Sequence, residues 1–182
     1  MSILLNTIAD LYRHSPHLRV VPLAVIALGS NLSGPNGSPH DNLKAVLPAL
    51  QLLSSSPLLV SDTVVTEPVD CPPGSPPFAN AVAVLCPENG VSPVELLLAL
   101  QDIETSFGRS RKGVRNEARI IDLDLISFGE QRIESERLIL PHPRATQRLF
   151  VLQPLLQIWP DFILPGDSLS VKEHIRILQR GA

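Results

Sequence analysis

The stretch Ile120-Ile121-Asp122-Leu123-Asp124-Leu125-Ile126 decides the fold prediction, because it combines a strand composition with two acids. Its apolar residues predict a central β-strand, in which successive side chains point to opposite faces of the sheet. Asp122 and Asp124 would then share one face, with Cα atoms about 7 Å apart. Two carboxylates on an apolar strand repel each other and are costly to bury. A divalent cation would remove that cost, and carboxylates with water and phosphate oxygens are the usual environment of magnesium. The pattern also permits a water-exposed sheet face with two solvated acids.

The loop before this strand concentrates positive charge. Five of the fifteen basic residues lie within eleven positions, and they are Arg109, Arg111, Lys112, Arg115 and Arg119. Arginines neutralise phosphate oxygens that metal ions do not reach, so a cationic loop beside an acid pair indicates a polyphosphate site. The glycine-rich phosphate loop and the dinucleotide fingerprint are both missing from the sequence. A solvated charged loop or an RNA contact are the alternatives.

The remaining pattern mixes strands and helices and predicts an α+β fold. Strands are predicted over residues 20–28, 58–66, 78–85, 120–128 and 137–140. Helices are predicted over residues 38–53, 92–107, 149–158 and 171–179, the first two starting at capping boxes and the third broken at Pro154.

Length and composition limit the kinds of protein that this can be. With 182 residues, 44% of them hydrophobic, the chain suits one domain over residues 20–182, and residues 1–19 are predicted to be an N-terminal appendage. A net charge of −3 disfavours a broad nucleic-acid surface, and no apolar run is long enough for a membrane span. Two cysteines are too few for a disulfide framework, so a cytoplasmic protein is expected.

Three further side chains are candidates for ligand contacts. His142 lies in a turn between two prolines, although a lone histidine is often structural. Phe78 and Asn80 would share one strand face and could hold a flat heterocycle by stacking and hydrogen bonding, although phenylalanine in a strand is usually a core residue.

Four segments in this order resemble the 6-hydroxymethyl-7,8-dihydropterin pyrophosphokinase family of folate biosynthesis, and they cover residues 27–32, 78–82, 103–124 and 140–150. The Arg-x-x-Asp-x-Asp element over residues 119–124 is specific when it follows the Gly-Arg-x-Arg-Lys run. The resemblance extends over about residues 23 to 165. It implies a ferredoxin-like α+β core, with a mainly antiparallel central sheet flanked by helices. It also implies transfer of pyrophosphate from ATP to the pterin hydroxymethyl group, which releases AMP.

The resemblance also implies roles for individual residues. Asp122 and Asp124 would hold two Mg²⁺ ions, and Arg109 and Arg119 would act with them as catalytic residues. The expected nucleotide-side residues are Gln101, Glu104, Arg111, Lys112, His142 and Arg148. The expected pterin-side residues are Thr66, Val69, Phe78, Asn80 and Phe150. Asn116, Glu117 and Ala118 replace a Trp-Gly-Pro that is frequent in the family.

The partners expected from this resemblance are small molecules alone. We expect a monomer that binds ATP and the pterin, and neither nucleic acid nor membrane. One alternative is an RNA-binding module on a ferredoxin-like sheet, which usually presents exposed aromatic side chains for base stacking. A catalytically silent homologue is the other, and the presence of both acids and of Arg109 and Arg119 argues against it.

Overall fold

A computed structural model of the chain describes residues 6–68, 72–108 and 118–181. Its strands are β1 (Ala24–Ser30), β2 (Leu59–Val60), β3 (Val64–Thr66), β4 (Phe78–Leu85), β5 (Asp122–Phe128), β6 (Ile133–Glu134) and β7 (Ile139–Leu140). Its α-helices are α1 (Ile8–His14), α2 (Pro39–Gln51), α3 (Pro93–Ser106), α4 (Leu149–Ile158) and α5 (Val171–Arg180), and short 3₁₀ turns cover Pro16–Val20 and Ala145–Gln147.

The main sheet is antiparallel, with the strand order β2-β4-β1-β5 and with β3 also paired to β4. The predicted α+β architecture, an antiparallel sheet flanked by helices, is therefore confirmed. Strand β1 lies between β4 and β5, and Gly29 is the register partner of Asn80 on one side and of Asp122 on the other. The prediction that residues 120–126 form a central strand is wrong, because β5 ends the order of described strands. Its apolar composition instead reflects burial of both faces under helices.

Two hydrophobic cores lie on opposite faces of the sheet. One face packs Ile26, Leu28 and Leu125 against α2 and α3, and the other packs Val25 and Ile126 against α4 and α5. Asp122 and Asp124 have the parity of Ile126, so they lie on the α4 side of the sheet. The part of this face that carries Asp122 and Asp124 lines a cavity.

The predicted helix starts are confirmed by their capping geometry. The hydroxyl of Ser38 accepts the backbone N–H of Asp41 at the start of α2, and Ser92 accepts that of Glu95 at the start of α3. In each case the carboxylate of the acid accepts the backbone N–H of the capping serine. Each cap is typically worth about 1 kcal/mol.

The predicted break at Pro154 is wrong, because α4 continues through it to Ile158. Pro154 lacks the N–H that would reach the carbonyl of Phe150, which costs about 3 kcal/mol in a helix interior. Val151, Leu152 and Leu155 are at most 1% exposed, and burial stabilises each by about 1.5–3 kcal/mol. Packing therefore outweighs the missing hydrogen bond.

Some strand boundaries also differ from the prediction. The strand predicted over residues 58–66 is two short strands, β2 and β3, and strand β6 was not predicted. Strand β1 begins at Ala24 rather than at residue 20, since the preceding residues form a 3₁₀ turn and Pro22 has no N–H for the ladder. No helix among the described residues has the length and apolar character needed to cross a membrane.

The N-terminal segment contributes to the core on the α4 side. Leu11 and Leu18 are each 2% exposed, and they belong to the same cluster as Leu155 and Ile175. Tyr12 packs against this cluster and stacks with the guanidinium of Arg19 at 5.0 Å. The boundary at residues 19/20 stays a prediction, but residues 6–19 include side chains that the core needs.

Leu18→Ala is expected to lower the free energy of unfolding by about 2–5 kcal/mol, because it deletes buried methyl groups and leaves a cavity. Leu52→Ala is the matched control, since Leu52 is 83% exposed and its truncation should change stability by less than about 0.5 kcal/mol. Chemical denaturation of both variants would measure the difference. Equal stabilities would contradict the packing of this segment.

Candidate active site

An open cavity of about 620 Å³ lies on the α4 side of the sheet, within the range usual for small-molecule sites. Residues of strands β1, β3, β4 and β5 line it on the sheet side, and several residues between positions 142 and 153 complete the lining. Nine of the predicted site residues line it, and they are Thr66, Phe78, Asn80, Arg119, Asp122, Asp124, His142, Arg148 and Phe150.

Gly29 keeps the floor of this cavity open at its middle. A Cβ atom there would lie 3.5 Å from Oδ1 of Asn80, 3.8 Å from Cβ of Asp122 and 3.9 Å from the Phe78 ring. Because cross-strand partners point to the same face, Gly29 separates the acid on β5 from the amide on β4. The part of the cavity beside Asp122 and the part beside Asn80 therefore meet at a residue without a side chain.

The acid pair occupies one end of the cavity, and each acid has an arginine partner. Nη1 of Arg119 lies 2.9 Å from Oδ2 of Asp122, and Nη1 of Arg148 lies 3.6 Å from Oδ2 of Asp124. Leu123, between the acids, points into the opposite core. The predicted same-face arrangement is confirmed, and the arginines offset the repulsion between the two carboxylates.

Asn31 fixes the backbone of Arg119. The Oδ1 of Asn31 accepts the Arg119 N–H at 2.7 Å, and the N–H groups of Asn31 and Leu32 donate to the Arg119 carbonyl at 3.1 and 3.2 Å. The Asn31 side chain is also a donor to the carbonyl of Pro76. Asn31 is only 2% exposed, and the sequence analysis predicts no role for it.

Glu104 stabilises β5 from behind the acids. It is 2% exposed, and its Oε1 accepts the N–H of Leu123 at 2.7 Å. Neither Glu104 nor Gln101 is among the described residues that line the cavity. Their nucleotide-side roles stay predictions, while the observed contact of Glu104 fixes the strand that carries Asp122 and Asp124.

His142 faces the cavity as a neutral imidazole. Burial, with the positive charges of Arg148 and Arg144, lowers its pKa to about 4. Its Nδ1 accepts the backbone N–H of Arg144 at 3.2 Å, which assigns the ring proton to Nε2. The backbone N–H of His142 donates to the carbonyl of Ile126 at 2.8 Å, which joins this residue to β5. The Nε2–H group of the neutral ring is therefore an uncharged hydrogen-bond donor in the cavity.

Because the pKa of His142 is lowered in the folded chain, the free energy of unfolding should decrease as the pH falls from about 6.5 to about 4. Its pKa in the folded chain is about 4, whereas an unfolded chain binds the proton below about 6.5. The unfolded state therefore binds more protons in this window, and the contribution becomes constant below it. His142→Asn should vary less in unfolding free energy over this range. His17→Asn, at an exposed site, is the control, and parallel curves for all three proteins would contradict the assignment.

The other end of the cavity is lined by two aromatic side chains and a buried amide. Phe78 and Phe150 both line it, and the guanidinium of Arg148 lies 5.3 Å from the centroid of the Phe150 ring. Asn80 is 4% exposed, and its Nδ2 donates to Oγ1 of Thr66 at 2.8 Å, which fixes the orientation of the amide. This end can hold a flat, polar ring.

Several predicted site residues lie outside the described residues, and these are Val69, Arg109, Arg111 and Lys112. The substituted positions Asn116 and Glu117 also lie outside them. In contrast, the cavity includes Glu67, Arg144, Gln147 and Gln153, which the sequence interpretation missed. Arg144 carried a usable signal, because it precedes Arg148 by four residues in a segment that follows His142.

Comparisons with known proteins identify the family of the chain. A family model described as 7,8-dihydro-6-hydroxymethylpterin-pyrophosphokinase matches residues 25–160. A 2-amino-4-hydroxy-6-hydroxymethyldihydropteridine pyrophosphokinase of Pseudomonas aeruginosa is 42% identical over 142 residues, which cover 77% of this chain and 82% of that protein. The protein of the same name from Haemophilus influenzae is 38% identical over 146 residues, covering 80% of this chain and 87% of that protein.

A solved structure shares the fold. The crystal structure of Plasmodium falciparum HPPK-DHPS with pteroate matches 87% of this chain with a TM-score of 0.66 and 13% identity, and this chain spans 45% of that longer one. That likeness concerns the fold, whereas the matched family covers three quarters of the sequence with both acids inside it. The chain belongs to the 7,8-dihydro-6-hydroxymethylpterin-pyrophosphokinase family.

Proposed function

We propose that this chain is an ATP-dependent pyrophosphokinase that converts 6-hydroxymethyl-7,8-dihydropterin and ATP into the pterin diphosphate and AMP in folate synthesis. The observation that carries the proposal is one cavity with an acid–arginine end and an aromatic–amide end on either side of Gly29. The relatives are named as pyrophosphokinases of a hydroxymethyldihydropteridine, which supports the proposal.

The pterin would bind beside Phe78 and Phe150, which both line the cavity. A flat ring gains from stacking on aromatic side chains, which is worth about 0.5–1.5 kcal/mol beyond the buried area for an aromatic pair. Asn80 would supply directional hydrogen bonds, since its amide is fixed by Thr66. Because Asn80 is buried, water is excluded from those hydrogen bonds. The bonds would therefore select a ring with matching donors and acceptors.

The polyphosphate would bind over Asp122 and Asp124. Arg119 and Arg148 lie beside these acids and can turn to the phosphate oxygens when the acids gain other partners. His142 adds a neutral donor at the same end. This arrangement places positive charge and donors where charge develops during transfer.

Asp122 and Asp124 would hold two magnesium ions with the phosphates. The described residues contain no group of three or more His, Cys, Asp or Glu side chains that could bind a metal, so water and substrate oxygens would complete the coordination. Magnesium usually binds in this way, through one or two carboxylates, water and phosphate oxygens, and the acid pair therefore fits it. When bound, the ions would neutralise charge on the phosphate oxygens.

The chemical step would be an in-line displacement at the β-phosphorus. The hydroxymethyl oxygen forms a bond to that phosphorus, the bond to the oxygen bridging the α- and β-phosphorus breaks, and AMP leaves with the bridging oxygen. The hydroxyl proton is released to solvent. The protein's residues position the two substrates and stabilise the transferring group, which is how enzymes of phosphoryl transfer generally work.

The alternative of an RNA-binding sheet has less support. Its two candidate aromatics, Phe78 and Phe150, are partly buried and line the cavity, instead of standing exposed on an open sheet face. The proposal includes a monomer, since this one chain builds both ends of the cavity. It also includes a cytoplasmic location, with which the buried free thiol of Cys86 is consistent.

The test is a product analysis with ATP, the pterin and magnesium. AMP and the pterin diphosphate are expected in equal amounts, and both should disappear when a chelator removes the magnesium. ADP as the nucleotide product would mean single phosphoryl transfer and would contradict the proposal. Light scattering on a sizing column would test the monomer.

A further inference from the structure

We propose that Arg144 is a further substrate-binding residue, whose guanidinium binds phosphate oxygens of the nucleotide. This inference rests on the proposed function and adds to it a residue for which the sequence and the resemblance had predicted no role. Arg144 lines the same cavity as Asp122, Asp124 and Arg148. The ligand class is an anionic nucleoside polyphosphate.

The pairing of charges in the cavity singles out Arg144. Arg119 is paired with Asp122 and Arg148 with Asp124, so both of these arginines already have protein partners. The guanidinium of Arg144 has no hydrogen-bond or ion-pair partner in the described parts of the chain, where its backbone N–H bonds to His142. An anion can therefore bind it without displacing a carboxylate.

The position of Arg144 matches the nucleotide side of the cavity. Its charge is close enough to lower the pKa of both His142 and Arg148. Its backbone bond to the His142 ring fixes it at the start of a 3₁₀ turn, which the buried Ala145 anchors in the core. The three side chains therefore form one cluster along residues 142–148 in the lining of the cavity.

The chemistry of arginine suits this role. A guanidinium presents a planar fork of N–H donors that fits two phosphate oxygens at once, and it stays charged at any physiological pH. A polyphosphate brings several negative charges to a cavity whose other described arginines are shared with acids. Arg144 supplies a positive charge that is not already paired with a carboxylate of the described residues.

Calorimetry with the nonhydrolysable analogue α,β-methylene-ATP and magnesium tests the assignment. Arg144→Gln should weaken binding of the analogue about tenfold to a hundredfold, as loss of a charge-assisted hydrogen bond does. Arg144→Lys should recover part of this, because it keeps the charge and loses the fork. Binding of 6-hydroxymethylpterin should stay within about twofold. Arg176→Gln, on the exposed face of α5, is the matched control and should bind the analogue like the unaltered chain.

Three outcomes would overturn the assignment. Analogue binding within twofold of the unaltered chain would show that Arg144 does not contact the phosphates. Weaker pterin binding with unchanged analogue binding would place Arg144 at the wrong end of the cavity. If the unaltered chain bound neither ligand, the proposed function would fail together with this assignment, whereas the first two outcomes leave that function intact.

Discussion

Asp124→Ala is expected to lower AMP formation by about a thousandfold, which is the upper limit of the range for removing one preorganised electrostatic group. Asp124 is half of the acid pair on which the magnesium proposal depends, and no other cavity acid shares its face and spacing with Asp122 among the described residues. The remaining acid would have to hold the metal and phosphates alone. A rate assay with saturating ATP, pterin and magnesium measures the loss.

The fold of the Asp124 variant should be intact. Its partner Arg148 lies 3.6 Å away, and the Asp124 side chain is 39% exposed, so the lost ion pair should cost no more than about 1 kcal/mol of unfolding free energy. Asp102→Ala removes an exposed acid from α3 and is the matched control, with normal turnover expected. Near-normal turnover of Asp124→Ala in magnesium would refute the assignment of both acids.

Arg119→Ala should lower the turnover number about 10²–10³-fold and change the Michaelis constants much less. Asn31 holds the Arg119 backbone, and the Arg119 side chain reaches Asp122 at 2.9 Å, so the guanidinium is already placed beside the proposed site of transfer. A preorganised charge contributes mainly where negative charge develops, which is in the transition state.

Steady-state kinetics that vary each substrate would separate the two effects of the Arg119 substitution. Arg119→Lys should recover a minor part of the turnover, because an ammonium cannot reproduce the two-pronged contact. Arg132→Ala, at an exposed position, should behave like the unaltered chain. An unchanged turnover number with a raised Michaelis constant would show that Arg119 only binds the ground state.

Local chemistry made part of this structure predictable. The capping boxes at Ser38 and Ser92 involve residues three apart, and the same-face position of Asp122 and Asp124 follows from the two-residue period of a strand. Such features depend on near neighbours in the sequence, so a pattern is sufficient to find them.

The features that the sequence did not indicate depend on distant contacts. The place of β5 at the end of the strand order depends on which strands pair, and the continuity of α4 through Pro154 depends on its burial against the sheet. Asn31 acts on Arg119 across 88 residues of chain. Arg144 gains its meaning only when the partners of Arg119 and Arg148 are known.

The chain segments outside the family match have a consequence for solubility. The match covers residues 25–160, yet Leu18 and Ile175 lie outside it and are buried against the α4 side of the core. A protein shortened to residues 25–160 would expose apolar side chains of α4 and of the core residues that pack beside it. Exposed apolar surface of this kind promotes aggregation, so trimmed material would tend to precipitate even with every cavity residue still present.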